Sequence, residues 1–125
     1  MTLIAYLLDS WAWIDYWNSP ESRAKEIIES AHDLVVSTIT VAEVSQRYAP
    51  QGAAMVEARI DEMLKRCTLI PVDRKIATMA GMLHHREISG GIADAIILAT
   101  ARIGAHSVVT GDRHFKDLPD VIFLE

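Results

Sequence analysis

The sequence predicts a three-layer α/β/α domain around a central, mostly parallel, five-stranded sheet. Short apolar runs of strand length alternate with longer amphipathic segments along the whole chain. Strands that are separated by helices pair in parallel, and helices then cover both faces of the sheet. No repeat, low-complexity segment or linker interrupts the alternation, and 125 residues suit one domain. We therefore expect residues 1–125 to form a single domain.

The first third of the chain predicts one strand and two helices. Residues 3–8 are an apolar run of strand length. A helix should follow over residues 10–18, because a serine at its start can act as the N-cap. A second helix is expected over residues 19–32, where Ser19 and Pro20 supply an N-cap and a first-position proline.

The middle third predicts a strand, two helices and another strand. Residues 34–37 are a short apolar strand, and a helix over residues 40–48 should end before Pro50. Apolar residues then recur at helical spacing over residues 53–66. Residues 68–72 are expected to form the third strand.

The last third predicts two helices and two strands. A helix over residues 73–86 starts at an aspartate, and a Ser-Gly-Gly break separates it from an apolar helix over residues 92–103. Gly104 suits the left-handed position that follows a helix. Strands at residues 107–110 and 121–124 complete the sheet.

Composition and charge exclude several classes of protein. The single cysteine, Cys67, excludes an internal disulfide and a cysteine zinc cluster. No apolar run approaches the roughly 18 residues of a membrane span, and the N-terminus lacks the features of a signal peptide, so we expect a cytoplasmic protein. The net charge of −5 comes from 17 acidic and 12 basic residues. If four acids share a cation, the remaining 13 acidic residues nearly balance the 12 basic ones, so the net charge does not exclude nucleic-acid binding.

Two acids stand at the carboxyl ends of predicted strands. Asp9 follows the first strand directly, and Asp112 lies two residues after the fourth. Ligands of open parallel sheets bind outside the carboxyl ends of the strands, where the strand order reverses. If these two strands are neighbours, both carboxylates enter one crevice. The residue pattern alone leaves that adjacency open.

Two further acids begin predicted helices. Asp94 lies in the first turn of an apolar helix, where a carboxylate must be paired, coordinated or exposed at the helix end. Glu43 has a structural alternative, because Thr40 and Glu43 fit a helix-capping box. Asp9 and Asp112 likewise suit a helix cap and a turn. All four together, each suited to face the same side of the sheet, favour a shared site.

Such a cluster of carboxylates has a specific chemistry. Hard divalent cations prefer oxygen ligands, and carboxylates held close together favour either protonation or a bound cation. A bound Mg²⁺ or Mn²⁺ lowers the pKa of a coordinated water and offsets charge on phosphate oxygens. The pattern is therefore typical of a metal-dependent enzyme that hydrolyses phosphodiesters.

Four segments resemble the PIN domain and, within it, the VapC-type toxins of toxin–antitoxin pairs. They are Leu-Leu-Asp-Ser at 7–10, Ser-Thr-Ile-Thr-Val-Ala-Glu-Val at 37–44, Ile-Ala-Asp-Ala-Ile-Ile-Leu-Ala at 92–99 and Val-Val-Thr-Gly-Asp at 108–112. The resemblance spans nearly the whole chain. It implies a PIN-like sheet in which the first and fourth strands are adjacent, and Mg²⁺- or Mn²⁺-dependent endonucleolytic cleavage of RNA.

The resemblance also implies roles for individual residues. Asp9 and Asp94 would be the primary metal ligands, and Asp112 would be a further ligand, direct or through water. Glu43 would position or deprotonate the attacking water. The polar supports at the rim of the site would be Ser10 and Thr110.

The implied partners are a second copy of the chain, in a homodimer, and a small VapB-like antitoxin that inserts an arginine among the acids. The chain places the basic residues Arg113, His114 and Lys116 beside the site, directly after Asp112. Of these, Arg113 and Lys116 are the predicted RNA contacts. Trp11 lies off the apolar face of its helix and is free to contact a partner or RNA.

Two alternatives remain from other functional classes. A phosphotransfer protein or phosphatase also carries an aspartate after a strand, but the phosphatase pattern needs an acid where Trp11 stands. A P-loop nucleotide-binding protein is excluded because its glycine-rich motif is absent. The non-enzymatic alternative is a PIN-like module that only binds RNA or protein. Four mutually repelling acids count against it.

Overall fold

A computed structural model describes residues 5–30, 33–86, 88 and 90–125 of the chain. Its five strands form one sheet in the order β3-β2-β1-β4-β5, and every neighbouring pair is parallel. The α/β prediction is confirmed, with a sheet that is parallel throughout. The strands are β1 (Tyr6–Leu8), β2 (Leu34–Ser37), β3 (Thr68–Ile70), β4 (Ser107–Thr110) and β5 (Val121–Phe123).

Helices cover both faces of the sheet and produce the three layers. Successive strand residues point to opposite faces, so Leu7 and Val108 pack with α5 and α6, whereas Leu8 and Val109 pack with α1 to α4. No described helix is long and apolar enough to cross a membrane. The helices are α1 (Ser10–Asn18), α2 (Lys25–Ser30), α3 (Thr38–Tyr48), α4 (Ala53–Arg66), α5 (Arg74–Arg86) and α6 (Ile92–Gly104), with short 3₁₀ turns at Ala49–Gln51 and Arg113–Phe115.

The strand order reverses between β1 and β4. Leu7 pairs with Val108 and Leu8 with Val109, so the first and fourth strands are adjacent, as the resemblance implies. From β1 the sheet continues through β2 and β3 on one side and through β4 and β5 on the other. A crevice outside the carboxyl ends of strands is expected at such a point. Asp9 stands at this edge.

The predicted helix over residues 19–32 is wrong at its start. Helix α2 begins at Lys25, and turns occupy residues 20–24. Ser19 instead ends α1, because its extended backbone donates an N–H to the Asp15 carbonyl, and the Ser22 hydroxyl donates to the Asp15 carboxylate at 2.6 Å. The expected end of this helix and the first two residues of the predicted strand at 3–8 lie outside the described residues.

The predicted start of α3 at Thr40 is also wrong. The helix begins at Thr38, and its N-cap is Ser37, whose hydroxyl accepts from the Ile39 N–H at 3.1 Å. Thr40 is buried within the first turns. Glu43 therefore lies too far along the helix for a capping box, and that structural alternative is removed.

The remaining element ends differ by small amounts. Helix α5 starts one residue later than predicted, because Asp73 is its cap and accepts from the Ile76 N–H at 2.8 Å. Gly104 is the last residue of α6 and not the left-handed residue after it. That conformation belongs to Ala105, at φ 55° and ψ 44°. Strands β3 and β5 end two residues and one residue early, at Ile70 and Phe123.

Candidate active site

Asp9 is fixed where β1 passes into α1, and Asp9, not the predicted Ser10, is the N-cap of that helix. One carboxylate oxygen caps the helix by accepting from the Ala12 N–H at 3.0 Å, and the other accepts from the Thr110 hydroxyl at 2.5 Å. The residue is 5% exposed. Burial raises the pKa of Asp9 to about 7, and the charges of Asp112 and Glu43 also raise it, against the two hydrogen bonds that favour the carboxylate. Helix capping therefore accounts for the position of only one of the two carboxylate oxygens of Asp9.

Glu43 projects from α3 toward the start of α1. Its carboxylate accepts from the Ser10 hydroxyl at 3.2 Å. Burial raises the pKa of Glu43, and the negative charges of Asp94 and Asp112 raise it further, whereas the Ser10 bond lowers it. The raised pKa makes the Glu43 carboxylate a stronger base than a solvent-exposed glutamate.

Asp94 and Asp112 meet at the side chain of His114. His114 Nδ1 lies 2.8 Å from Asp94 Oδ2 and 3.2 Å from Asp112 Oδ1. Asp112 also caps the following 3₁₀ turn, accepting from the His114 N–H at 3.0 Å, and its own N–H donates to the Thr110 hydroxyl. Burial raises the pKa of Asp94, as does the charge of Asp112, while His114 lowers it.

All four predicted acids line one cleft of about 340 Å³, which we call the acidic cleft. Ser10 is at its wall, whereas Thr110 is buried beneath and joins Asp9 to the backbone of Asp112. The two predicted RNA contacts, Arg113 and Lys116, line a neighbouring cavity instead. The acidic cleft is lined by Asp9, Ser10, Trp11, Ile14, Asp15, Asn18, Glu43, Asp94, Ile97 and Asp112.

Three groups at one side of the cleft fit a divalent cation. Asp94, Asp112 and His114 each offer a ligand atom, and these atoms all lie within 4.8 Å of one another; the predicted ligand Asp9 is not part of this group. Carboxylates suit Mg²⁺ and Mn²⁺, and an imidazole nitrogen is a better ligand for Mn²⁺ than for Mg²⁺. The pKa of three cleft acids is raised by burial and by their neighbours' charges. A cation would offset both effects.

His114 is the residue whose place in this cluster the sequence did not predict. From the sequence, His114 was expected only as one of the basic residues near the mouth of the site, because it follows Asp112. The spacing offers one signal, because the backbone N–H two residues after a turn-forming aspartate donates to its carboxylate, as that of His114 does to Asp112, and this keeps the two residues close. Asp15 and Asn18 at the far end of α1 were likewise not predicted.

Gly90 is required by the close packing around Asp94. A Cβ at this position would lie 2.0 Å from Asp94 Oδ2 and 2.8 Å from His114 Nδ1. The backbone is held there because His84 Nε2 donates to the Gly90 carbonyl at 2.9 Å. We expect Gly90→Ala to displace Asp94 and to lower stability by about 1–3 kcal/mol.

Gly81→Ala, in the middle of α5, is the control, since a Cβ on Gly81 also meets nothing within 4 Å. Thermal unfolding and Mn²⁺ titration calorimetry of both variants measure the difference. Weaker metal binding and a lower melting temperature are expected for the change at Gly90. Equal behaviour of the two variants would contradict this account of the packing.

Comparison with known proteins supports the same fold. The PIN-domain family model matches residues 6–121. A toxin–antitoxin complex from Klebsiella pneumoniae has 27% identity over 94% of this chain and 96% of the other, with a TM-score of 0.79. No curated protein matches.

Two more distant structures are similar in fold alone. VapBC2 from Rickettsia felis, bound to a DNA fragment from its promoter, is 20% identical over 96% of this chain and 97% of its own, with a TM-score of 0.74. VapC20 from Mycobacterium tuberculosis, described as a sarcin-ricin loop cleaving toxin, is 18% identical over 89% and 92%, with a TM-score of 0.72. Both cover nearly all of this chain.

Proposed function

The chain belongs to the PIN-domain family, and from this membership we propose that it is a metal-dependent endoribonuclease, the toxin of a toxin–antitoxin pair. The single observation that carries the proposal is the convergence of Asp9, Glu43, Asp94 and Asp112 in the acidic cleft. These acids come from four separate elements, and burial and mutual repulsion raise the pKa of three of them. A module that only bound RNA would gain nothing from clustered carboxylates, because they repel the phosphates.

Asp9, Asp94 and Asp112 are the proposed ligands for Mg²⁺ or Mn²⁺, with His114 as an additional donor. When bound there, the cation would make a coordinated water more acidic and would offset charge on the scissile phosphate. Thr110 holds the Asp9 carboxylate in place and also receives the N–H of Asp112, so one hydroxyl orients two of the ligands.

Glu43 is the proposed base of the reaction. The Ser10 hydroxyl orients its carboxylate toward the cleft, and its raised pKa brings proton transfer closer to neutral pH. In this proposal the Glu43 carboxylate takes the proton of the water that attacks phosphorus. The phosphorus–oxygen bond of the RNA backbone then breaks, and the departing oxygen takes a proton from solvent water, while Glu43 returns its proton to solvent.

The proposed partners follow from the same family and from the charge of the cleft. A small VapB-like antitoxin would insert a cationic side chain among the acids, because a guanidinium pairs well with clustered carboxylates. The similar Klebsiella structure is itself a toxin–antitoxin complex. We also propose that residues 1–125 act as one domain, that the protein forms a homodimer, and that it works in the cytoplasm.

A covalently closed circular RNA tests the reaction class. Purified protein, freed of antitoxin, is incubated with the circle and with circular DNA of the same sequence in the presence of Mg²⁺ or Mn²⁺. Linearisation of the RNA alone is the expected result, because only an endonuclease cuts a molecule without ends. RNA that is bound and left intact under all conditions would favour the alternative of a silent binding module.

A further inference from the structure

A second cavity adjoins the acidic cleft, and Trp11 lines both. This flanking cavity has a volume of about 660 Å³ and is formed by Trp11, Gly111, Arg113, Lys116 and Phe123 together with the C-terminal residues. Its size lies in the range of roughly 300–1,000 Å³ that accommodates small organic ligands. The two spaces therefore form a continuous surface on either side of one indole ring.

The indole of Trp11 is held in place by the backbone of the turn after β4. A Cβ on Gly111 would lie 2.3 Å from the ring carbon Cζ2 of Trp11, so the ring packs directly against this glycine. Gly111 stands between Thr110 and Asp112, both of which belong to the site. The ring is therefore held beside the turn that carries Asp112, at the wall of the acidic cleft. A ring so fixed is a ready stacking surface for a base.

The two cavities differ in the charges that line them. Among the described residues, the lining of the acidic cleft has carboxylates and no lysine or arginine, whereas the flanking cavity is lined by the cations Arg113 and Lys116 and by one acid, Glu125. Lys116 Nζ also lies 5.9 Å from the ring centroid of Phe123. Its pair with Glu125 is long, at 3.9 Å, and is exposed to solvent, so it does not hold the lysine strongly.

A nuclease site of this kind needs cations outside its acids, because the phosphates next to the scissile bond are themselves negative. We propose that the flanking cavity is a subsite for single-stranded RNA. One base stacks on Trp11, and the adjoining phosphates bind Arg113 and Lys116. The proposal rests on the proposed ribonuclease function and assigns these residues to substrate positioning.

The test is binding of a fluorescein-labelled single-stranded RNA to the full chain, followed by fluorescence anisotropy in EDTA so that no cleavage occurs. The double change Arg113→Gln with Lys116→Gln should weaken binding about tenfold and reduce the slope of log Kd against log salt concentration by about 1.4, because each phosphate contact to a single strand contributes about 0.7. Trp11→Ala should weaken binding about tenfold at an unchanged salt dependence, and Trp11→Phe should restore most of the loss.

The matched control is Arg47→Gln with Lys65→Gln, which removes two exposed cations from α3 and α4 and leaves the flanking cavity intact. Weakening confined to the cavity variants is the expected result. Equal weakening by the control, or normal RNA binding by every variant, would overturn the proposal. Normal RNA binding with reduced affinity for a polyglutamate peptide would assign the cavity to an acidic protein partner and also overturn it.

The two experiments distinguish an error in the proposed subsite from an error in the proposed ribonuclease function. If the wild-type protein linearises circular RNA while the cavity variants bind RNA normally, the subsite is wrong and the function stands. If the wild-type protein leaves circular RNA intact, the function itself is wrong and the subsite falls with it.

Discussion

Replacing Asp94 with asparagine is expected to lower the rate of RNA cleavage on the order of 10³-fold while the protein stays folded. Asp94 stands in the first turn of α6 beside Asp112 and His114, where its charge contributes to the proposed cation site. Asparagine keeps the shape and one oxygen but removes the negative charge. The cation should then bind weakly and the attacking water should lose its activation.

Single-turnover cleavage of a defined RNA measures the rate, and circular dichroism with thermal unfolding reports the fold. Asp61→Asn is the control, because it removes the same charge from an exposed position on α4. This variant should cleave RNA at the wild-type rate. Cleavage by the Asp94 variant at a comparable rate would show that the acidic cleft is not the active site.

Asp9→Asn is expected to abolish cleavage and to stabilise the metal-free protein. Burial raises the pKa of Asp9 to about 7 from an ordinary value of 3.8. Between these values the folded state holds a proton that the unfolded state has released, so the stability of the wild-type protein falls as pH rises through this window. Above about pH 7 the buried carboxylate of Asp9 is charged, and the burial of this charge then lowers the stability of the folded protein by its full amount.

The asparagine at position 9 carries no charge at any of these pH values. The metal-free variant should therefore exceed the wild type by a few kcal/mol at about pH 8, and the difference should vanish near pH 4, since one pKa unit corresponds to about 1.4 kcal/mol. Urea unfolding in EDTA at several pH values measures it. Added Mn²⁺ should reverse the order, because only the wild type gains from the cation. A difference that is independent of pH would contradict the burial of a titrating carboxylate here.

Much of the site was predictable because it depends on where strands end. Asp9 and Asp112 follow strands of a parallel sheet, and the carboxyl ends of such strands share one edge. What the residue pattern left open was the pairing of β1 with β4. The two strands are about a hundred residues apart in the chain, and local spacing carries no information on which strands become neighbours.

Glu43 shows why single positions remained ambiguous. Ser37 and Thr40 are both good N-cap residues, and the choice between them decides whether Glu43 caps a helix or faces the cleft. The structure selects Ser37, and the contact that then orients Glu43 comes from Ser10, a residue on another helix. Rules based on neighbouring residues in the sequence could not predict this contact between two helices.

The errors elsewhere have the same origin. Ser19 and Pro20 satisfy the local rules for a helix start, yet the Ser22 hydroxyl pairs with the Asp15 carboxylate and holds the chain in turns. His114 lies on a 3₁₀ turn of three residues, which is too short to leave a periodic pattern. Its contact with Asp94 depends on the meeting of α6 with the end of β4, which no local pattern records.

The most direct test of the central claim is the rate of RNA cleavage by antitoxin-free protein that has been stripped with EDTA and then titrated with Mg²⁺ or Mn²⁺. We expect no cleavage before the titration, a saturable rise with added cation, and no rise in the Asp94→Asn variant measured beside it. Cleavage that persists in EDTA, or that rises equally in the variant, would contradict a metal-dependent acidic site.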